Sequence, residues 1–290
     1  MQKTLQLRLL PAEAANEQSV KQSIATQHNL SPATITGFII LKRSIDARSR
    51  QQVWINLSVL VYINEPFQNR TPIAFQLQEV HNSNQQVIII GAGPAGLFAA
   101  IKLIENGIKP ILLERGKDVR ARRRDLAMLN KSGEVNPESN YCFGEGGAGT
   151  YSDGKLYTRS SKRGDVNRIL QLFVHFGAEE SILYDAHPHI GTNKLPQIIT
   201  AMREGILAAG GQFLFNHKVT DLLINDNRVT AVKTADGNLF QGDAVILATG
   251  HSARDIFELL HHKHILIEAK PFALGVRVEH PQSLIDSVQY

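Results

Sequence analysis

Residues 87–116 constrain the fold of this chain more than any other segment. The uninterrupted apolar run at residues 87–90 (VIII) predicts a strand buried on both faces of a parallel sheet. It leads into a G-x-G-x-x-G turn formed by Gly91, Gly93 and Gly96. In such a turn the first glycine lets the chain bend sharply, the second lets the backbone approach a pyrophosphate, and the third lets the next helix pack closely on its strand. The segment therefore predicts a strand–turn–helix unit that binds phosphate.

The residues after the turn extend this pattern. Pro94 suits the start of a helix because its missing N–H would have no partner there, and Ala95 follows in the first turn. First-turn N–H groups and the positive end of the helix dipole favour an anion. A second apolar strand, residues 111–113, ends in Glu114, 18 residues after Gly96. Because an acid roughly 20 residues beyond such a turn accepts a hydrogen bond from a ribose hydroxyl, we predict that this unit binds the ADP half of a dinucleotide.

A second dinucleotide signal lies much further along the chain. Residues 244–250 (AVILATG) have the pattern of a buried strand that ends in Ala-Thr-Gly. Together with the glycine turn, this segment resembles the two-dinucleotide-binding-domain flavoproteins, in which it passes near FAD. Residues 114–116 (ERG) match the usual end of the second strand in that superfamily. The resemblance implies FAD as the cofactor, and the further residues that it places at the FAD site are Arg115, Ala248, Thr249 and Gly250.

A longer motif, residues 140–156 (NYCFGEGGAGTYSDGKL), lies between these two signals. It resembles the hallmark of a bacterial family of predicted FAD-dependent dehydrogenases. Three other segments fit the same family: residues 43–48 (RSIDAR), 189–192 (HIGT) and 270–281 (KPFALGVRVEHP). We interpret the chain as a flavoprotein oxidoreductase that transfers a hydride between FAD and a small organic substrate. The resemblance leaves open both the substrate and the electron donor, NAD(P)H or another compound.

Two further FAD contacts follow from the family pattern. Among the arginines of residues 120–124, the pattern implies Arg122 as the one that reaches the FAD pyrophosphate. The alternative is that this basic run is an ordinary solvated helix face. After a predicted strand at residues 212–215, the backbone amide of Val219 stands where this fold meets the adenine.

Candidate catalytic residues are few. Lys155 ends the glycine-rich loop, and a lysine near the flavin N1–C2=O edge would stabilise the reduced anion. His251 follows the Ala-Thr-Gly segment and is either a general acid–base or a packing residue at a helix start.

The single cysteine, Cys142, excludes a dithiol relay within the chain. It either fills a buried position or approaches the flavin. The histidine clusters lack acidic or cysteine neighbours at zinc spacing, so no metal site is predicted.

The first 80 residues predict a separate small α+β module of ferredoxin-like character. Its predicted elements are a strand at residues 4–9, a helix at 17–27, and strands at 35–42 and 53–63. A linker rich in Asn, Gln and Pro follows at residues 64–86. The polar segment 43–50 is either a solvated loop or a contact with the flavin-binding part of the chain or an anionic partner.

Residues 81–290 predict a Rossmann-like FAD-binding domain of the α/β class, with a parallel sheet, a β-meander and interleaved substrate-domain segments. The further predicted elements are helices at residues 166–176 and 195–209 and meander strands at 219–224, 229–234 and 239–240. The superfamily's Gly-Asp strand, which contacts the flavin ribitol, has no counterpart in the sequence after Gly250. We therefore expect a C-terminally truncated chain whose substrate domain is incomplete, and which binds FAD weakly without turnover.

Composition narrows the classes of function. The chain has 290 residues, of which 43% are hydrophobic, and no apolar run reaches the roughly 20 residues of a membrane span. The beginning of the sequence lacks the long apolar core of a secretion signal, so we expect a cytoplasmic protein without membrane contact. The net charge of +4 is small and the basic residues are not interleaved with aromatic ones, which argues against nucleic acid as a partner. A flavin-bearing protein that binds or modifies RNA is the alternative hypothesis.

Overall fold

The computed structural model of the chain describes residues 1–49, 51–71, 73, 75–156, 158, 164–276 and 278–289. The strands in this part of the chain are β1 (Gln2–Leu9), β2 (Ile35–Asp46), β3 (Trp54–Ile63), β4 (Gln86–Ile90), β5 (Lys109–Glu114), β6 (Gln212–Phe215), β7 (Val219–Asn225), β8 (Arg228–Thr234), β9 (Leu239–Gln241) and β10 (Ala244–Leu247). The α-helices are α1 (Pro11–Ala14), α2 (Glu17–Gln27), α3 (Pro94–Glu105), α4 (Val119–Ser132), α5 (Val166–His175), α6 (Leu195–Ala208), α7 (Arg254–His262) and α8 (Gln282–Gln289). Short 3-10 helices lie at Pro32–Thr34, Gly147–Gly149 and Glu180–Leu183.

The N-terminal module is a three-stranded antiparallel sheet covered by a helix. Strand β3 lies in the centre and pairs with β1 on one side and β2 on the other. Helix α2 packs Val20 and Ile24 into the same apolar cluster as Leu57 and Val59 of β3. The β–α–β–β order predicted from the sequence is confirmed.

Strand β2 runs further than the apolar pattern predicted, because residues 43–46 continue to pair with β3. Backbone pairing does not require apolar side chains. Arg43 also joins the module to the segment at 184–186: its N–H donates to Tyr184 O at 2.8 Å, and its carbonyl accepts from Ala186 N at 2.9 Å. Its guanidinium donates to both carboxylate oxygens of Asp185, at 2.6 and 2.9 Å. Of the alternatives for segment 43–50, a contact with the chain beyond the module is observed at Arg43, whereas Arg50 lies outside the described residues.

The predicted linker at residues 64–86 is in part a packed segment. The Val80 side chain is 1% exposed, and its N–H donates to Ala209 O at 2.7 Å. Phe75 and Leu77 pack against the same apolar core. Three apolar residues within a polar stretch are enough to attach this connection to the domain.

A four-stranded parallel sheet forms the centre of the remaining chain, in the order β10-β4-β5-β6. Ile88 and Ile89 of β4 are fully buried, as expected for a strand covered on both faces. Helix α3 supplies Ile101 and Ile104 to the core, and α6 supplies Ile206. The predicted Rossmann-like arrangement is confirmed, with the carboxyl ends of β4, β5 and β10 at one edge.

The β-meander is also confirmed. Strands β7, β8 and β9 pair antiparallel in chain order. Asp226 and Asn227 connect β7 to β8 with φ values of 47° and 58°. Asp and Asn tolerate this left-handed backbone, which a tight two-residue hairpin turn requires.

The chain divides into two compact units, Met1–Ser252 and Ala253–Tyr290. In the second unit, α7 buries Ile256 and Leu260. Among the described residues between α7 and α8 there is no strand or further helix. The predicted domain boundary at residues 80/81 stays a prediction. Over the described residues, the helices fall short of the length and apolar character that crossing a membrane requires.

Candidate functional site

The glycine turn lies at the carboxyl end of β4, and two of its three glycines are required by the packing of the protein itself. Gly91 has a φ of 106°, and a Cβ placed on it would lie 2.5 Å from Ala248 O. A Cβ on Gly96 would lie 2.0 Å from Gly91 O, within the turn. Any side chain at these two positions would therefore disturb the turn or the end of β10.

Gly93 differs from both neighbours. Its backbone, with φ −73° and ψ −176°, is one that any residue adopts. A Cβ on Gly93 would meet nothing nearer than Gly147 Cα, at 3.8 Å. It stands before α3, where glycine has no side chain to cap the helix, so the first-turn amides, including that of Ala95, face outward without partners within the helix. A side chain at position 93 would stand between these amides and an approaching pyrophosphate. Glycine at this position, together with the free first-turn amides, therefore fits a site for the pyrophosphate of FAD.

Glu114 ends β5 beside the turn, where the sequence placed it. Its carboxylate is 4% exposed and accepts from three backbone amides: Ala92 N at 2.8 Å, Gly116 N at 2.8 Å and Gly144 N at 3.0 Å. A carboxylate has about four acceptor directions, so one remains for a ribose hydroxyl. Glu114 thus also holds the two glycine-rich segments together, a role that the motif alone does not reveal.

Arg115 points toward the glycine-rich loop. Its guanidinium carbon lies 4.5 Å from the Phe143 ring centroid, and it makes an ion pair with Glu138 at 3.5 Å. The predicted Arg115 contact with FAD stays a prediction.

The loop at residues 144–149 packs directly on the glycine turn. The Gly146 N–H donates to Ala92 O at 2.8 Å. Gly144, Gly146 and Gly147 have φ values of 113°, 80° and 71°. Glycine is needed here because side chains rarely adopt such values. The loop therefore forms a second wall of the site.

Arg122 is fully buried beneath this loop and binds its backbone. Its guanidinium donates to Asn140 O at 2.9 Å, Tyr141 O at 3.1 Å and Glu145 O at 2.7 Å, and also to Thr150 Oγ1 at 3.0 Å. The structure thus shows Arg122 as an organiser of the loop, which contradicts the alternative of a solvated arginine at this position. Its predicted contact with the pyrophosphate stays a prediction.

Glu145 is the most perturbed acid of the site. Its side chain is fully buried; Oε2 accepts from Val119 N at 2.8 Å and from Arg203 at 2.9 Å. Oε1 has no hydrogen-bond partner among the described residues. Burial raises the pKa of Glu145 to about 7, although the Val119 amide and the Arg203 charge oppose that rise. Sequence reasoning missed Arg203, because it lies on α6, 58 residues from Glu145.

The remaining predicted site residues are four predicted FAD contacts, in or next to strands, and two candidate catalytic residues, which are exposed. Val219 starts β7, and Ala248 continues β10 with its N–H donating to Ile90 O at 2.8 Å; Thr249 and Gly250 follow at the same edge. The side chains of Lys155 and His251 are exposed. Lys155 Nζ forms an ion pair with Asp153 at 3.1 Å. The expectation that Cys142 fills a buried position is wrong, since the residue is exposed.

Three family models match separate parts of the chain. Residues 1–62 match a domain of unknown function. Residues 86–124 match an FAD-binding domain, and this segment holds the glycine turn, Glu114 and Arg122. Residues 188–287 match the FAD-dependent oxidoreductases, and this segment holds Val219 and the end of β10.

An uncharacterized protein of Clostridium beijerinckii is 36% identical to the chain over 284 residues. The alignment covers 93% of this chain and 53% of that protein, so the chain spans about half the length of this relative. Among solved structures, THI4 of Thermovibrio ammonificans overlaps with a TM-score of 0.40 at 15% identity, covering 63% of each chain. A GidA-related protein of Thermus thermophilus overlaps with a TM-score of 0.33 at 16% identity, covering 57% of this chain and 53% of that one.

Proposed function

We propose that this chain, as a member of the FAD-dependent oxidoreductases, binds the ADP half of FAD at the glycine turn and serves hydride transfer between the flavin and a small organic substrate. The observation that carries the proposal is the open approach to Gly93, where a Cβ would be 3.8 Å from its nearest neighbour. Packing does not require glycine there, whereas a pyrophosphate does.

Each residue of the site has a definite task in this proposal. The amides at the start of α3 bind the pyrophosphate, and the remaining acceptor direction of Glu114 binds a ribose hydroxyl. Arg122 and Glu145 hold the glycine-rich loop on α4, and the Gly146 amide binds the loop to the turn. FAD supplies the hydride chemistry when bound. Lys155 and His251 remain the candidates for contact with the flavin and for proton transfer, and NAD(P)H or another donor supplies or removes electrons.

The RNA-linked alternative has less support. Of the arginines at 120–124, the buried Arg122 is directed into the loop, while Arg120, Arg123 and Arg124 are exposed on α4. Three exposed arginines on one helix are an ordinary solvated face.

The test compares two glycine variants of the purified chain. We expect the wild type to bind added FAD weakly, seen as a saturable change in flavin absorbance when the chain is titrated. Gly93→Ala should keep the wild-type circular dichroism and melting temperature of the FAD-free protein but bind FAD at least tenfold more weakly, because its methyl group occupies the approach of the pyrophosphate. Gly96→Ala, with its 2.0 Å clash, should lower stability as well. A wild-type chain that cannot be loaded with FAD, or a Gly93→Ala variant with unchanged affinity, would contradict the proposal.

A further inference from the structure

The glycine-rich loop carries a buried acid between its two contacts with the predicted FAD site. Gly144 N donates to Glu114, the acid expected at the ribose, at 3.0 Å, and Gly146 N donates to Ala92 O in the glycine turn at 2.8 Å. Glu145 lies between these two residues, and its side chain is fully buried. We propose that Glu145 is a positioning residue for FAD and that its carboxylate takes up a proton when FAD binds. This role rests on the proposed function, because it concerns the same site.

The loop beside Glu145 touches the glycine turn where the pyrophosphate is expected. A Cβ on Gly147 would lie 3.1 Å from Pro94 Cδ and 3.2 Å from Gly93 Cα, so Gly147 packs directly on the turn. Glu145 is two residues away from it in the chain. Because the Glu145 side chain has no exposed surface, salt and water screen its interaction with a charge at the turn less than they screen two exposed groups.

The Glu145 carboxyl is stabilised as an anion on one side only. Oε2 accepts from Val119 N at 2.8 Å and from Arg203 at 2.9 Å, while Oε1 has no hydrogen-bond partner among the described residues. Burial raises the pKa of Glu145 to about 7, and the Val119 amide and the Arg203 charge oppose that rise. Near neutral pH the folded chain therefore exchanges a proton at this carboxyl, and Oε1 is the open position for it.

The other titratable groups around Glu145 leave this equilibrium near neutral pH. Asp118, just before α4, and Glu114, at the end of β5, are acids whose negative charges add to the rise in the pKa of Glu145. Arg122 of α4 directs its guanidinium to the Glu145 carbonyl oxygen, at 2.7 Å. Tyr151, which follows the loop, is a phenol, and burial raises its pKa further above its usual value of about 10. A new charge near Glu145 will therefore shift its protonation within the physiological pH range.

FAD brings such a charge to the glycine turn. Both phosphates of its pyrophosphate are diesters and keep their negative charge near neutral pH. A like charge nearby disfavours an ionised carboxyl, so the pKa of Glu145 should rise in the complex. Above about pH 7 the free chain holds Glu145 ionised, and binding then draws a proton from the solvent. An O–H bond forms at Oε1, and no bond of FAD changes.

The pH dependence of FAD binding to the purified chain tests this inference. Flavin absorbance titrations between pH 6 and pH 9 should give a dissociation constant that rises about tenfold, as expected for a shift of about one pKa unit on binding. Isothermal titration calorimetry at pH 7.5 in Tris and in Hepes counts the protons, because the two buffers differ in ionisation enthalpy. We expect uptake of about half a proton per FAD at this pH, since free and bound chains are then protonated to different extents.

Three variants assign the effect to Glu145. Glu145→Gln has no carboxyl to titrate, so its dissociation constant should stay level over the same pH range. Arg203→Met removes the cation that opposes the rise in the pKa of Glu145, so the loss of FAD affinity should begin at a higher pH than in the wild type. Glu134→Gln, at an exposed position just after α4, is the matched control and should follow the wild type.

The outcomes separate this inference from the proposed function. A pH-independent dissociation constant in the wild type, equal binding enthalpies in the two buffers, or wild-type pH dependence in Glu145→Gln would overturn the inference and leave the proposed function standing. A chain that binds no FAD at any pH overturns both. Circular dichroism at each pH scores folding; if Glu145→Gln does not fold, proton uptake by the wild type and the shift in Arg203→Met decide the result.

Discussion

Glu145 shows how one buried side chain joins several parts of the site. Its backbone N–H donates to Lys117 O at 3.1 Å, its carbonyl accepts from Arg122 at 2.7 Å, and its carboxyl binds Val119 N and Arg203. These partners lie on the β5–α4 connection, on α4 and on α6. A charge in this position must be stabilised without water, and one oxygen has no partner among the residues described. The result is an acid that titrates near neutral pH.

Stability should therefore depend on the protonation of Glu145. The pKa of the carboxyl is raised to about 7 in the folded chain from the 4.5 of an unperturbed glutamate, so between these pH values the folded state retains a proton that the unfolded state releases. The contribution of this carboxyl to the free energy of unfolding is fully present below about pH 4.5. It declines as the pH rises to about 7 and does not change further above that. The total is on the order of 3 kcal/mol, from about 1.4 kcal/mol per pKa unit.

Urea unfolding of the wild type and of Glu145→Gln between pH 4 and pH 8 measures this effect. The variant has no titrating group there, so the wild-type free energy of unfolding should fall relative to the variant across the window. Glu134→Gln, at an exposed position just after α4, is the control and should follow the wild type. Parallel pH profiles for wild type and Glu145→Gln would show that the carboxyl titrates normally.

At the scale of elements, β2 fastens the N-terminal module to residues 184–186. Arg43 pairs by its backbone with Tyr184 and Ala186, and by its side chain with Asp185. The Arg43 and Arg70 guanidinium carbons also lie 5.3 and 5.6 Å from the Tyr184 ring centroid. His187 follows this segment directly. The module therefore holds the segment directly before His187 by both backbone and side-chain bonds.

A double-mutant cycle on Arg43→Met and Asp185→Asn should reveal this attachment. The pair is bidentate and partly exposed, so we expect a coupling of about 1 kcal/mol in the free energy of unfolding, near the upper end for surface pairs. Arg48 and Asp46 form a similar bidentate pair in which the arginine is 90% exposed, and their cycle should give a clearly smaller coupling. Equal coupling in the two cycles would mean that the Arg43 pair is an ordinary surface contact.

At the scale of the whole molecule, exposed apolar residues are concentrated in the second unit. Phe272, Leu274 and Val276 are 83–87% exposed, in a stretch without strand or helix in its described residues. The connection at residues 64–86 is better protected, because Val80 is buried and hydrogen-bonded to the core domain. The two irregular segments of the chain thus differ in how firmly they are held.

Limited digestion with chymotrypsin should first cut after Phe272 or Leu274, since proteases attack exposed backbone that makes few contacts. Mass spectrometry of the earliest product identifies the site. Replacing both residues with serine should slow this cut without changing the melting temperature. A first cut after Phe67 or Phe75 would instead show that the 64–86 connection is the weaker segment.

Local patterns were sufficient for many of the elements and for the prediction that the glycine turn and Glu114 lie together. Alternation, apolar runs and the glycine spacing predicted α2, β6 and the meander, because strand and helix periodicity is written in neighbouring residues. The same reasoning placed Gly93 and Glu114 at one edge of the sheet, since the carboxyl ends of parallel strands meet there.

The tertiary structure alone decided which side chains meet across long distances in the chain. It directed Arg122 into the loop carbonyls, paired Glu145 with Arg203 on α6, and joined Arg43 to Asp185, 142 residues away. It also brought Lys155 beside His189. These partners share no periodicity, and both their direction and their loss of hydration arise only when separate elements pack together.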